Sequence, residues 1–336
     1  MRTVTWIAFV FGFATLRGEV VRVRVTDDDA RPIAGAQVRV IFGATLADGT
    51  RDVTVPFLTD QLGTGVARGR AEFRTSVFVA KPGSYDVRVD GLRAGQDHDV
   101  TLVLRERKSP IPLHVARIGF DRVEHFPKQG VWLGFDFSAG DWIAPHGRGK
   151  IEDLRFRFRN IFQGYGENLR NRLAESMARN KQAVESGGEV WTEEKYKLQV
   201  GNWDAVFEVS FPGDKDGIIE ETLRYLPYNV MRLPHAAPDS GYVPSWRVEA
   251  KSYVPPQLRE NVGFFLRTRT KLDSRGNIVS AHYAKITGDI EVDARGSIRF
   301  HYYFNPVAND RNLEFDYERN LFPKDMVGAR NVPLRP

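Results

Sequence analysis

Val21-Arg22-Val23-Arg24-Val25, then the acidic break Asp27-Asp28-Asp29, then Arg31-Pro32-Ile33-Ala34-Gly35-Ala36-Gln37-Val38-Arg39-Val40, is the stretch that decides the fold class. Apolar and polar residues alternate with a period of two, the pattern of strands that bury one face of a sheet and wet the other. The pattern returns in Lys81-Pro82-Gly83-Ser84-Tyr85-Asp86-Val87-Arg88-Val89. Turn residues separate the runs at Arg31-Pro32, Ala47-Asp48-Gly49, Asp60-Gln61-Leu62-Gly63 and Lys81-Pro82-Gly83. Short strands at this spacing predict a β-sandwich over residues 19–105.

These residues also carry a family likeness. A V-x-V strand, an acidic turn, Pro32-Ile33-Ala34-Gly35-Ala36-x-Val38-x-Val40, Thr59-Asp60, Pro82-Gly83-x-Tyr85-x-Val87-x-Val89 and Thr101-Leu102-Val103-Leu104 follow one another in order. Over about 85 residues this resembles the carboxypeptidase regulatory-like family, a transthyretin-like sandwich within a broader carbohydrate-binding-like fold group. The resemblance implies a fold and an extracytoplasmic setting; it brings no catalytic residues. The sequence departs from the family where Thr64-Gly65-Val66-Ala67-Arg68-Gly69-Arg70 stretches the short hairpin after Thr59-Asp60.

Working outward, Arg2 precedes the apolar run Trp6-Ile7-Ala8-Phe9-Val10-Phe11-Gly12-Phe13-Ala14, too short to span a bilayer. Residues 1–18 are therefore expected to be an export signal, cut at the small-x-small site Gly12-x-Ala14 or after Gly18, which suits the domain start better but puts Leu16 where a small side chain is preferred; a buried first strand is the other use of such a run. The chain has no cysteine, hence neither a lipid-attachment site nor a disulfide framework. Downstream, Arg105-Glu106-Arg107-Lys108-Ser109-Pro110-Ile111-Pro112 is charged and Pro-bearing, and 106–112 is expected to be a linker.

Residues 113–336 are expected to form a larger, mostly antiparallel β domain with one inserted helix, so the whole is mainly β. Arg155-Phe156-Arg157-Phe158-Arg159 should bury both phenylalanines and line the other face with arginines, as a solvated surface or an anion-binding strip. Leu169, Leu173, Met177 and Val184 share one side of a helix over about 167–186, which Gly187-Gly188 stops. That stripe is expected to pack on the sheet. Leu272-Asp273-Ser274-Arg275-Gly276-Asn277-Ile278 returns as Val292-Asp293-Ala294-Arg295-Gly296-Ser297-Ile298, predicting two like hairpin turns in a meander.

The chemistry is sparse. The net charge of +5 is spread thinly along 336 residues, so no nucleic-acid footprint arises. No nucleophile elbow, phosphate loop, dinucleotide fingerprint or zinc-protease motif occurs. The histidines (His98, His114, His125, His146, His235, His282, His301) are scattered, and no metal or cofactor is expected. Around Asp214-Lys215-Asp216-Gly217 a calcium loop fails, with Pro212 and Leu223 at the key ligand positions. Glu193-Glu194 and Glu220-Glu221 are adjacent and would point to opposite faces of a strand.

Aromatic residues make up 12% of the chain, and Trp132, Trp142, Trp191, Trp203 and Trp246 follow residue 113, beside Tyr242 and Tyr253. Sugar rings stack on indole, and carboxylates fix their hydroxyls. Trp132 and Trp203 sit inside alternating strands and are expected in the core. Trp142 and Trp246, near turns, are expected to be exposed and, with Asp141 and Asp239, to form a glycan site. The reading is a non-catalytic exported binding or scaffold protein of the cell envelope, with polysaccharide or another envelope protein as partner and no stable membrane span after signal removal. The alternatives are a hydrolase with its active site in the second domain and a structural assembly subunit. A deep pocket with two carboxylates or a His–carboxylate set would favour the hydrolase; an exposed apolar patch would favour assembly.

Overall fold

The computed structural model describes residues 18–46, 49–120, 122–164, 167–187, 192, 201–223, 231–250, 259, 261–293 and 295–323. Residues 1–17 of the expected export signal, Gly188, Trp191, Glu193, Glu194 and Tyr253 lie outside the described residues. The protein is mainly β, with two compact units, one running through Arg107 and the other beginning at Lys108.

In the first unit, β1 (Glu19–Thr26), β2 (Gln37–Leu46), β3 (Gly49–Leu58), β4 (Thr64–Gly69), β5 (Arg74–Ala80), β6 (Val87–Arg93) and β7 (His98–Val103) form two sheets, ordered β4-β1-β7 and β3-β2-β5-β6. The alternation does its work: Val21, Val23 and Val25 are buried while Arg22 and Arg24 face water. Their partners in the core include Val38, Val40, Phe42, Val77, Val79 and Leu102. The segment that departs from the family pattern is strand β4, paired antiparallel with β1 from Glu19↔Gly69 to Arg24↔Thr64. Glu19 is buried, and its carboxylate accepts bonds from the Ala71 N–H at 2.7 Å and the Thr75 hydroxyl at 3.0 Å.

The second unit holds β8 (Ile111–Ile118), β9 (Glu124–His125), β10 (Leu133–Asp136), β11 (Asp141–Trp142), β12 (Leu154–Gly164), α1 (Glu167–Glu185), β13 (Asn202–Ser210), β14 (Gly217–Thr222), β15 (Ser245–Ala250), β16 (Val262–Leu272), β17 (Ile278–Thr287), β18 (Glu291–Val292), β19 (Ser297–Asn305) and β20 (Phe315–Asn320). Ile111 and Pro112, expected at the end of a linker, already belong to β8. Before them, the Lys108 and Ser109 amides donate to the Glu314 carboxylate at 2.9 and 2.7 Å.

One sheet of this unit runs β11-β10-β12-β13-β15. The other runs β14-β16-β17-β19-β8-β20, with β9 and β18 also pairing with β19. All pairings are antiparallel except β8–β20. Both sheets contribute to a core of aromatic rings, among them Phe135, Phe156, Phe207, Phe264, Phe300 and Tyr302. Helix α1 ends as expected, with Gly187 at φ +85° donating to the Val184 carbonyl. Of its expected stripe, Met177 is 51% exposed and Val184 half-buried, while the Leu169 and Leu173 side chains lie outside the described residues.

The repeated turns share one geometry. In each, the Asp N–H bonds the carbonyl of the fourth residue on, and the Gly N–H returns to the Asp carbonyl. Asp273 Oδ1 accepts the Arg275 and Asn277 amides, and Asp293 Oδ1 accepts those of Arg295 and Ser297. Gly276 and Gly296 take φ +79° and +80°. The same arrangement closes Asp60–Thr64 and Asp27–Arg31, the latter with Ala30 at φ +62° in the left-handed position. The bonds from Asn277 hold the Asp273 carboxyl below the usual range, and those from Thr64 do so for Asp60.

Two experiments follow from this framework. Replacing Gly276 by Ala should cost about 1–2 kcal/mol for the left-handed backbone alone, since nothing lies within 4 Å of the added carbon. Gly296→Ala should cost more in urea denaturation, because its Cβ would sit 3.0 Å from the Phe158 ring. The second concerns pH. Burial, and then Arg117 and Lys285, push His301 down to about 3; burial, and then Arg269, push His114 down to about 4. The unfolded chain, with these histidines near 6.5, binds more protons than the folded chain below that pH, so stability falls as pH drops from about 6.5 and is fully present above it. The melting temperature should therefore decline on acidification, and less steeply in His301→Phe.

Candidate functional site

The sequence-expected glycan residues do not gather in one place. Asp141 and Trp142 form β11, at one edge of the five-stranded sheet, and Trp246 lies on β15, at the other. Four strand spacings separate those edges, about 19 Å at ~4.8 Å per strand. Trp142 is a correction: expected to be exposed, it is 2% exposed, because its pairing with Phe135 sets it on the inward face. Its indole N–H donates to Glu124 Oε1 at 2.7 Å. Asp141 is occupied as well, accepting the Trp142 and Arg148 amides and the Arg148 guanidinium. Trp246 is half-buried against Phe207 and Phe264, and its indole N–H donates to Glu220 at 2.9 Å. Asp239 sits on an exposed loop, where the Ser240 hydroxyl donates to it at 3.3 Å.

Among the described tryptophans, Trp132 is the most exposed: expected in the core, it is 39% exposed. Leu133 and Phe135 take the inward positions of β10, so the period of two sends Trp132 outward; that register was the available signal. Trp203, also expected in the core, is half-buried and packs against Phe162 at 5.1 Å.

Trp132 stands beside the arginine row. Phe156 and Phe158 are fully buried, and Arg155, Arg157 and Arg159 point the other way. Strand register then sets Arg157, Glu208 and Arg247 side by side across β12, β13 and β15. Arg157 donates two bonds to Glu208, at 2.7 and 2.9 Å, while Arg159 donates at 3.4 Å and Arg247 approaches to 3.6 Å. The bond from Arg157, with the nearby charges of all three arginines, holds the Glu208 carboxyl below its usual range. Arg247 also pairs with Glu249, and Arg155 with Glu152 at 2.8 Å. The Arg157 guanidinium lies 4.4 Å from the centre of the Trp132 ring. With acids nearly balancing bases, this face offers fixed donors and acceptors beside an indole. It offers little net field for a polyanion.

A cleft of about 550 Å³ is lined by Ile151, Glu152, Pro212, Gly213, Asp216, Arg269, Thr270, Lys271 and His282. Its floor is a β-bulge in β16, where Arg269 takes φ +53° and the register against β17 shifts after Thr268. Arg269 reaches Asp153, which is 0% exposed, through Nε at 2.7 Å and Nη2 at 2.8 Å; Nη2 also donates to Ser138 at 2.9 Å. Burial pushes the Asp216 carboxyl up, and its Oδ1 accepts the Thr270 amide at 2.9 Å. Burial, and then Arg269, push His282 down. Sequence reasoning missed this cleft. The failed calcium loop around Asp216 marks part of its wall, Pro212, Gly213 and Asp216, without the Arg269 side that long-range pairing brings to it. Among the described residues, no three His, Asp or Glu side chains stand close enough to hold a metal ion, and no helix is long and apolar enough to cross a membrane.

No protein-family model matches the sequence, and no curated protein matches it. Among solved structures, 3-chlorocatechol 1,2-dioxygenase from Rhodococcus opacus overlaps 27% of this chain and 61% of its own, at 10% identity and a TM-score of 0.23. The chain spans 55–61% of the four catechol-type dioxygenases it matches. A streptococcal ancillary pilin overlaps 43% of this chain and 53% of its own, at 13% identity and a TM-score of 0.20. A "putative carbohydrate binding protein" from Bacteroides uniformis overlaps 88% and 99%, at 7% identity and a TM-score of 0.19. At these scores the likenesses carry no argument about activity.

Proposed function

We propose that the chain is a non-catalytic binding or scaffold protein of the cell envelope whose ligand is a glycan, held on the outer face of the five-stranded sheet. The observation that carries this reading is Trp132, exposed beside the in-register row Arg157–Glu208–Arg247. An indole face stacks on a sugar ring, while guanidinium and carboxylate pairs match vicinal hydroxyls. A flat strip suits an extended polymer. The first unit is read as a carboxypeptidase regulatory-like domain, supported by its seven strands in a three- and a four-stranded sheet. The apolar run after Arg2 supports an extracytoplasmic setting.

A second reading, a hydrolase, draws on the cleft that holds Glu152, Asp216 and His282. Against it, Glu152 is ion-paired with Arg155 at 2.8 Å, so the cleft does not hold two unpaired carboxylates.

Retention on a panel of insoluble and soluble polysaccharides, with released sugar assayed in the same tubes, tests both readings. Retention without release is expected, weakened about tenfold in Trp132→Ala by loss of a stacking contact worth about 1 kcal/mol or slightly more. Trp142→Ala should instead lower stability by about 3–5 kcal/mol, as a core deletion. Released sugar would establish the hydrolase; neither retention nor release would sink the glycan reading. For the setting, a tagged full-length chain expressed in a bacterial host should fractionate outside the cytoplasm, and one lacking residues 1–18 should stay inside. Identical fractionation of the two would overturn the export reading.

A further inference from the structure

We propose that the cleft beside Arg269 is a separate binding site for a carboxylate-bearing sugar, a uronate. It draws on the glycan reading for the sugar ring alone; the preference for a carboxylate comes from the cleft itself.

Arg269 spends Nε and Nη2 on Asp153, Asp136 and Ser138, and among the described residues no hydrogen bond engages Nη1. The residue remains 16% exposed at its side chain and lines the cleft. Two places along the bulge, Lys271 is exposed and forms no ion pair with any described acid. An unspent guanidinium edge and a free ammonium at one cleft are the donors that two carboxylate oxygens require. The bulge turns Arg269 toward Asp153, and Lys271, two residues on, still lines the same cleft.

Opposite these donors stand acceptors. Asp216 and Glu152 line the same cleft, and both are acids already fixed in place, by the Thr270 amide and by Arg155. Oxygen acceptors of this kind suit hydroxyls rather than a second anion. His282 also lines the cleft, its pKa pushed down by burial and then by Arg269. A volume of about 550 Å³ falls within the range of small-molecule sites and accommodates one sugar ring. A bare carboxylate would leave the acids unused, and a neutral sugar would leave the cations unused.

Isothermal titration of the full chain with sodium D-glucuronate, D-glucose and sodium acetate tests the assignment. Glucuronate should bind, with glucose and acetate each at least about tenfold weaker, because each supplies only part of the complementary groups. Lys271→Ala, an exposed substitution that leaves the core alone, should weaken glucuronate about tenfold, and Lys271→Arg should restore it. Acetate binding as tightly as glucuronate would reduce the cleft to an unselective anion site and overturn the proposal. So would the absence of glucuronate binding, or binding indifferent to Lys271→Ala. Trp132→Ala should leave glucuronate binding unchanged. Loss of polysaccharide retention with intact glucuronate binding would therefore fail the sheet-face reading and spare this one.

Discussion

The second unit depends on one buried carboxylate. Asp153 is fully enclosed, yet each of its oxygens accepts two bonds: Oδ1 from the Thr268 hydroxyl and Arg269 Nε, Oδ2 from the Phe137 amide and Arg269 Nη2. The four donors come from the end of β10 and from β16, so a single side chain ties the five-stranded sheet to the eight-stranded one. Burying such a pair gains little over a well-packed apolar contact, but removing one partner strands the other and costs about 3–5 kcal/mol. The clamp therefore acts through specificity. Phenylalanines could slide past one another; a carboxylate with four directional donors admits one registry. Asp136 extends the same logic to the loops, accepting the Ser138 and Ala139 amides on one oxygen and those of Lys150 and Ile151 on the other.

The clamp also explains the bulge. For Arg269 to face Asp153 while Thr268 does the same, two neighbouring residues of β16 must point to one side, which a regular strand forbids. An extra residue in the ladder and a positive φ resolve the conflict. The strain that follows, of order 1–3 kcal/mol at a non-glycine residue, is offset by the bonds to Asp153. The cleft is its by-product: once Arg269 turns inward, Thr270 binds Asp216 and Lys271 is left at the rim.

Much of this was legible in the sequence. The valines around Arg22 and Arg24, the phenylalanines between Arg155 and Arg159 and the Asp-x-Arg-Gly turns are local patterns, and local patterns survive folding. The paired turns at Asp273 and Asp293 look like an internal repeat, but Asp27 and Asp60 close their hairpins the same way in the other unit. The recurrence is turn chemistry. What stayed hidden depends on register and on long-range pairing. Whether Trp132 or Trp142 faces water turns on a one-residue phase set by Leu133 and Phe135. Asp153 and Arg269 lie more than a hundred residues apart, and nothing near either in sequence announces the other.

Register also gives the outer face its character. Glu208 is the one acid at its level of the sheet, and the strands on either side each place an arginine against it. Three guanidiniums around one carboxylate keep these side chains upright and ordered, which lowers the entropy lost when they meet a ligand. Arg155 continues the row to Glu152, and Glu152 lines the cleft. The flat face and the cleft are thus joined by a single ion pair. A polymer lying along the arginine row would come, at the Arg155 end, to a cleft where Arg269, Lys271, Glu152 and Asp216 surround an open volume large enough for a sugar ring.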